Sequence, residues 1–328
     1  MACLYITEQG AKLKKEDKRF VIEKEDSVIF EIPDFKVEKV FIFGNIQITT
    51  QALKFLLTSG IDTSFFTIYG KFIGKLQPVE SKNIFLRINQ FEKYKSEEFK
   101  VEISKRFVEG KIKNAKNFIL KYQRNHPEVN FLPYIEGLDR TLEELNRKNS
   151  ISSIMGVEGR ASAIYFECFG KMILKNFIFE KRQPRNPKDP VNSLLSFGYS
   201  LLVSELFSIL SAIGLDPYLG FFHTVEYGRP ALALDLMEEF RQPIIDRLVL
   251  EIINKEIIKE DGFKEDEGKI YLNEKSIKEF LAQYEKRMLT EITYEDETIN
   301  YRKLIHHQIR KFEKTIIENK EYKPFELK

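Results

Sequence analysis

A chain of 328 residues with 43% hydrophobic and 31% charged residues holds enough apolar material for more than one core, which excludes a wholly disordered protein and favours two domains. Lysine and arginine total 52 against 50 acidic residues, so a uniformly basic DNA-coating protein is excluded and any nucleic-acid site has to be a local patch. Two cysteines, Cys3 and Cys168, suit neither a zinc knuckle nor a disulfide framework, and the first residues lack the basic start and apolar core of a signal peptide. A reducing cytoplasm is the expected setting.

The first part of the chain reads as β structure, with strand-like runs at residues 4–6, 20–23, 28–32, 37–43 and 65–69. Pro33-Asp34 marks a turn, Tyr69-Gly70-Lys71 a tight hairpin, and residues 50–59 a short helix closed by Gly60. After Pro78 the apolar period becomes helical, as in Ile84, Ile88 and Phe91 and then Ile103, Phe107 and Ile112. The expected fold class is therefore α+β, with a small β-rich domain at residues 1–78 followed by a larger all-helical domain at residues 82–328.

Within the second part, residues 150–179 suggest one long helix. Asp189-Pro190 then forms an N-cap and first-turn pair for a helix reaching Ala212, with Gly214 as its stop. The apolar stretch 191–215 is interrupted by Glu205 and several serines, so it reads as a buried core helix and no membrane partner is expected. A glycine-punctuated loop follows, then a helix over 231–240, another from Pro243, a short strand at 268–272, and two closing helices.

Phosphate-loop, dinucleotide-binding and serine-esterase motifs are missing. Three candidates for chemistry remain. Glu158 is flanked by Gly156 and Gly159, each roughly 1 kcal/mol less favourable in a helix than alanine, which suits close backbone packing or the approach of a ligand. His223 lies in the glycine-rich loop after Phe221-Phe222. Asp235 and Glu238 are three residues apart in a greasy segment, on one helix face, while Glu239 is turned about 100° away. Each has a plain alternative: a satisfied loop histidine, a surface ion pair to Arg241, a helix contact through small residues. Together, carboxylates and an imidazole form a ligand set suited to Mg²⁺ or Mn²⁺. Basic runs at residues 100–124, 171–188 and 302–314 flank these segments and favour a phosphate-binding groove, although each alone is usually a solvated face.

Four stretches together resemble the CRISPR-associated adaptation endonuclease and integrase family: Gly156-Val157-Glu158-Gly159-Arg160-Ala161; Asp189-Pro190-Val191-Asn192-Ser193-Leu194-Leu195-Ser196-Phe197-Gly198-Tyr199; Gly214-Leu215-Asp216-Pro217 with Gly220 and His223; and Arg229-Pro230 running into Asp235-Leu236-Met237-Glu238. By that resemblance Glu158, His223 and Glu238 match the family's catalytic metal ligands, and Asp235 a nearby acidic position expected to support them. Candidate DNA-contacting residues are Arg160, Lys181, Arg182, Arg185, Asn192, Tyr199 and Arg302; Asn192 and Tyr199 match a motif whose role is either structural or DNA-contacting. The family usually runs Glu-x-Phe-Arg-Pro, whereas this chain reads Glu238-Glu239-Phe240-Arg241-Gln242-Pro243, so two glutamates compete for the third ligand position and the spacing from Asp235 favours Glu238.

The resemblance implies insertion of short foreign DNA segments into a CRISPR array by transesterification. It also implies double-stranded and branched DNA as partners, a homodimer formed through the β domains, and a small ferredoxin-like Cas partner protein. On this reading replacing Glu238 abolishes strand transfer while leaving DNA binding and thermal stability largely intact, and replacing Glu239 costs little. A branched-DNA repair nuclease and a non-catalytic DNA-binding scaffold are the alternatives, and metal dependence separates the scaffold from both enzymes.

Overall fold

The computed structural model describes residues 2–77, 83–175 and 177–327. Its first part runs β1 (Ala2–Ile6), β2 (Lys12–Glu16), β3 (Arg19–Lys24), β4 (Ser27–Pro33), β5 (Val37–Phe43), β6 (Gln47–Ile48), α1 (Thr50–Thr58), β7 (Asp62–Phe66) and β8 (Phe72–Leu76). These form two four-stranded sheets, ordered β1-β5-β7-β8 and β4-β3-β2-β6. Strand β5 divides its side chains between two cores because successive residues point to opposite faces. Val40 and Ile42 join Leu4, Leu13, Phe20 and α1's Leu56 between the sheets. Phe41 and Phe43 turn the other way, into the core shared with the helices.

The strand expectations at 4–6, 20–23, 28–32 and 37–43 match β1, β3, β4 and β5, and α1 lies over the expected helix. Strand β2 was not visible because Lys12-Leu13-Lys14-Lys15-Glu16 shows the core only Leu13. At the 67–71 hairpin Gly70 has φ +80°, and a Cβ there would strike the Phe197 ring, so the turn and its seat on the helical part both require glycine. The expected boundary between residues 78 and 82 lies outside the described residues.

The second part contains α2 (Ile84–Lys95), α3 (Glu97–Asn125), α4 (Leu132–Asn146), α5 (Ile151–Lys171), α6 (Pro190–Ile213), α7 (Ala231–Met237), a π-helical turn (Arg241–Asp246) and α8 (Arg247–Asn254). It continues through the hairpin β9 (Phe263–Asp266) and β10 (Lys269–Leu272), α9 (Glu274–Met288), a second hairpin β11 (Glu291–Tyr294) and β12 (Glu297–Asn300), and α10 (Tyr301–Glu318). The α+β class therefore holds, but the second part is not all-helical: two hairpins interrupt it, where only a single short strand at 268–272, now β10, was expected. Glu267 and Gly268, like Glu295 and Asp296, both take positive φ, as a two-residue hairpin turn requires. Glu295-Asp296 lacks the glycine that would have announced it.

Helix α5 stops short of the expected 179. The Met172 carbonyl at its end accepts from Tyr122 Oη (3.1 Å) and Asn254 Nδ2 (2.9 Å), and Asn254 Oδ1 accepts the Leu174 N–H, so side chains from other elements hold the exit. The helix expected over 231–240 ends at Met237, and Pro243 falls inside the widened π turn; proline has no N–H to give an α-helical ladder.

Helix α6 begins as expected, with Asp189 accepting the Asn192 N–H at 2.8 Å and Gly214 beyond its end. By length and composition it could cross a bilayer, but 78% of its apolar window is buried inside the protein. Its Glu205 is buried and pairs with Lys39 of β5 and, at 3.1 Å, with Arg302 of α10. Arg302 also holds Glu285 of α9 at 2.9 Å, and Glu285 accepts from Tyr5 Oη of β1 at 2.7 Å. Arg302, a candidate DNA contact, is instead turned inward onto Glu205 and Glu285, and through Lys39 and Tyr5 these two carboxylates join the N-terminal sheet to α6, α9 and α10. Breaking a buried pair leaves an uncompensated charge. Arg302→Met is expected to lower unfolding stability by about 3–5 kcal/mol in denaturant titration; a midpoint equal to the parent's contradicts the network.

Candidate functional site

Glu158 sits in α5, whose N-cap Ser150 accepts the Ser153 N–H. Neither flanking glycine is packed against another element: a Cβ at Gly159 would meet nothing within 4 Å, and one at Gly156 only the tip of Arg160. Of the two reasons for those glycines, close packing is the one that fails, and the backbone beside Glu158 is open. Glu158 Oε1 accepts from Ser162 Oγ at 2.7 Å and from the ammonium of Lys111. Lys111 comes from α3 and stands 2.8 Å from Glu238 Oε2, at the end of α7. Glu238 Oε1 lies 2.9 Å from Arg241 Nη2 and 3.7 Å from His223 Nε2. Three segments distant in sequence thus converge on one cluster. Its outer members Glu158 and His223 keep 22% and 16% of their side-chain surface, and its floor, Glu238, keeps 2%.

Asp235 organises the loop that carries His223. One carboxylate oxygen accepts the N–H groups of Phe221 (2.6 Å) and Phe222 (3.1 Å), and the other accepts the His223 N–H (2.8 Å). The second oxygen also lies 2.7 Å from His223 Nδ1. This network assigns the proton to Nδ1 and leaves the Nε2 lone pair facing Glu238. Gly220 makes the approach feasible, since a Cβ there would lie 2.8 Å from Asp235 Oδ2 and 2.6 Å from the Ala231 backbone.

Behind the cluster, Arg241 leaves the π turn and stacks on the Tyr199 ring at 4.8 Å, with Arg182 at 5.3 Å. Asp246 accepts from Tyr199 Oη and, at 2.8 Å, from Tyr165 Oη. Asn192 is buried, and its side chain bonds Arg182 Nη1 (2.8 Å), the Gln183 N–H (2.7 Å) and the Lys181 carbonyl (2.8 Å). Of the candidate DNA contacts, then, Arg182, Asn192, Tyr199 and Arg302 are occupied with protein partners, while Lys181 and Arg185 are exposed and form no ion pair among the described residues. Arg160 is half exposed and pairs with Glu144 at 2.5 Å. The basic run on α3 is largely matched by Glu97, Glu109, Asp139 and Glu326.

Sequence reasoning missed Lys111 as a member of the site. The signal was present: Ile103, Phe107, Lys111 and Ala115 share one stripe of α3, and a lysine on an apolar stripe needs a buried counter-charge. The plain alternative of a surface ion pair to Arg241 does not describe the acidic pair, since Arg241 is largely buried and holds Glu238 at 2.9 Å.

Burial alone would push the Glu238 carboxyl up, but the Arg241 guanidinium and the Lys111 ammonium hold it down at about 2. Lys111 likewise outweighs burial at Glu158 and lowers it. Glu238 is therefore wedged between cations, and replacing it removes a counter-charge from both Lys111 and Arg241, which argues against the expectation that thermal stability stays largely intact. Glu239 points elsewhere, as the helix spacing expected, yet it is as buried as its neighbour. It accepts from Tyr322 Oη (2.6 Å), Gln308 Nε2 (3.1 Å) and the Phe325 N–H (2.5 Å), latching the C-terminal tail, which argues against the tolerance expected of this position.

The donor set of Glu158, His223 Nε2 and Glu238 suits Mg²⁺ or Mn²⁺. Glu238 Oε2 is buried and already faces a cation, the Lys111 ammonium at 2.8 Å, so the site is built to hold positive charge at that oxygen. Among the described residues no three such donors already surround one point, because the Lys111 ammonium stands between the two carboxylates.

A strand-rich N-terminal part set on a helical part with a carboxylate–imidazole cluster at its surface defines the class of protein. The family described as CRISPR associated protein Cas1 matches residues 4–286. The CRISPR-associated endonuclease Cas1 3 of Thermus thermophilus is 34% identical over 330 residues, covering 99% of this chain and 97% of that protein. The solved structure of TM1797, a CAS1 protein from Thermotoga maritima, superposes with a TM-score of 0.83 at 29% identity and 97% coverage of both chains. A casposase bound to integration product shares the fold, with a TM-score of 0.88 at 23% identity over 99% of this chain and 93% of that one. The chain belongs to the Cas1 family of CRISPR-associated proteins.

Burial pushes the Glu239 carboxyl up to about 7 against the donors that face it. An unfolded glutamate titrates near ~4.3, so between the two values the folded chain holds a proton that the unfolded chain has lost. That stabilisation is complete below the unfolded value and is lost as pH rises through about 7. The thermal midpoint is expected to decline between about pH 5 and pH 8, and Glu239→Gln, which cannot titrate, to flatten the decline; equal slopes contradict the assignment.

Proposed function

We propose that this protein is a divalent-metal-dependent DNA endonuclease and integrase that inserts short foreign DNA segments into a CRISPR array, with Glu158, His223 and Glu238 holding Mg²⁺ or Mn²⁺. The observation that carries the reading is the convergence of those three sequence-distant side chains on one cluster in a chain of the Cas1 family. In strand transfer, the 3′-hydroxyl of the incoming DNA attacks a repeat phosphodiester, and one P–O bond forms as the bond to the departing 3′-oxygen breaks. Water as nucleophile gives hydrolysis at the same place. Bound Mg²⁺ or Mn²⁺ would lower the pKa of the nucleophile and offset charge on the transferring group.

The protein's own residues prepare that site. Asp235 holds the His223 tautomer with Nε2 presented, and Arg241, steadied on Tyr199, orients Glu238. Exposed Lys181 and Arg185 supply phosphate contacts; Arg185 lines a cleft with Lys71, Lys269 and the Tyr69–Tyr271 stack, where a DNA strand would find both charge and aromatic faces. A homodimer through the β parts is supported by Val28, Ile29 and Phe30 of β4, exposed by 57%, 46% and 46%. The family resemblance supplies the ferredoxin-like Cas partner beside it.

The test is transfer of a labelled duplex into a repeat-containing plasmid. Excess EDTA is expected to abolish product, and Glu238→Gln, confirmed folded by circular dichroism, to lower the rate on the order of a thousandfold. Asp235→Asn, which disturbs the His223 tautomer, is expected to lower it by about 10–100-fold. Product undiminished by EDTA removes the metal; hydrolysis without joining favours the repair-nuclease reading.

DNA binding has its own expected outcome. Lys181→Glu with Arg185→Glu should weaken binding and reduce the slope of log affinity against log salt, since fewer counterions are released, with the thermal midpoint unchanged. Arg182→Glu should instead destabilise the fold, because its guanidinium is bonded to Asn192 and Ser196. Equal salt slopes in parent and double variant would show that this loop faces away from DNA.

A further inference from the structure

Lys111 occupies the position between the two acidic members of the proposed metal set. Its α-carbon lies on a face of α3 held in the core by Phe107, Val108, Ile112 and Ala115, so the flexible part of the residue is its four-carbon stem. At its end, the ammonium donates to Glu158 and stands 2.8 Å from Glu238 Oε2. Arg241 approaches the opposite oxygen of Glu238 and is held by the Tyr199 ring, so it is anchored in a way Lys111 is not.

We propose that Lys111 is a built-in counter-cation that competes with a divalent metal for Glu158 and Glu238, so that metal binding requires its ammonium to swing out from between them. The proposal rests on the metal-dependent reading of this site. Two carboxylates close together at the edge of the protein interior, one half-buried and one buried, repel, and each raises the pKa of the other unless a cation intervenes. A lysine provides that cation during folding, before any metal is bound. Its ammonium has no fixed hydrogen-bonding plane and sits on a flexible stem, which makes it exchangeable where a forked guanidinium would not be. Competition then has opposite consequences for stability and for metal affinity. Removing the ammonium weakens the protein without metal and strengthens its hold on metal. A lysine that merely braced the fold, or that stayed beside the bound metal, would not separate the two.

The experiment uses the full-length protein, stripped of divalent ions, with Mn²⁺ itself as probe. Binding is read by calorimetry and by the electron paramagnetic resonance of free Mn²⁺, beside thermal midpoints with and without Mn²⁺. Lys111→Met is expected to bind Mn²⁺ about tenfold more tightly than the parent. Its thermal midpoint should be lower before Mn²⁺ is added and should rise further on addition. Lys111→Arg, which keeps a cation in place, is expected to bind no more tightly than the parent, and Glu238→Gln to abolish binding in either background. The parent also reports directly: the Lys111 ε-methylene resonance, identified by its loss in Lys111→Arg, is expected to shift on Mg²⁺ titration, which keeps the test decisive if Lys111→Met does not fold. Equal or weaker Mn²⁺ binding by Lys111→Met, or a Lys111 resonance unmoved at saturating Mg²⁺, overturns the exchange and leaves the metal site standing. Absence of Mn²⁺ binding in the parent and in Lys111→Met overturns both.

Discussion

A helix of 24 residues that is apolar on nearly every side has to be covered on every side, and α6 imposes that condition on the rest of this protein. The N-terminal sheet covers one flank by turning Phe43 and Phe72 onto Phe197 and Phe207. Helices α7 and α10, the π turn and strand β10 close the others. The single carboxylate in its middle, Glu205, then has to be paired in the dark, and the partners it takes, Lys39 and Arg302, come from the sheet and from the last long helix. One buried charge therefore helps to set how the strand-rich part sits on the helical part.

The same helix supplies the back wall of the site. Asn192, near its start, ties down the loop carrying Lys181 and Arg182, and Tyr199, two turns on, receives the faces of Arg182 and Arg241. Arg241 in turn fixes Glu238, and Asp246 anchors the Tyr199 hydroxyl. Around this wall the buried carboxylates Glu205 and Glu238 meet cations, while Asp235 and Glu239 accept backbone N–H groups or side-chain donors. The outcomes differ with the partner. Glu238, between cations, stays ionised to about pH 2, whereas Glu239, with neutral donors and burial, is pushed to about 7. Adjacent glutamates in one segment thus acquire opposite electrostatic characters, one suited to a cation and one to a structural latch.

Much of this was legible in the residues. The change from period-two alternation to helical spacing separated the strand-rich part from the helical part, and Asp189-Pro190 with Gly214 marked both ends of α6. The spacing of Asp235 and Glu238 placed them apart from Glu239. Elements whose cause is local but unadvertised escaped notice: β2 shows the core a single leucine, and the β11–β12 turn is built from Glu295-Asp296 without glycine. Helix α5 was read too long because its end is enforced by Tyr122 and Asn254, residues far away in the chain.

The sequence by itself determined the local periodicities, the caps, the α+β order and the identity of Glu158, His223 and Glu238 as candidates, because these depend on neighbours within a few residues or on a pattern of motifs. Only the tertiary structure decided what each charge faces. It placed Lys111 between Glu158 and Glu238, gave Arg241 to Glu238, turned Arg182 and Arg302 inward, and made Glu239 a latch for the tail. The physical reason is that a charge removed from water interacts strongly with whatever is brought within a few ångströms of it, and those neighbours come from segments that the order of the chain does not bring together.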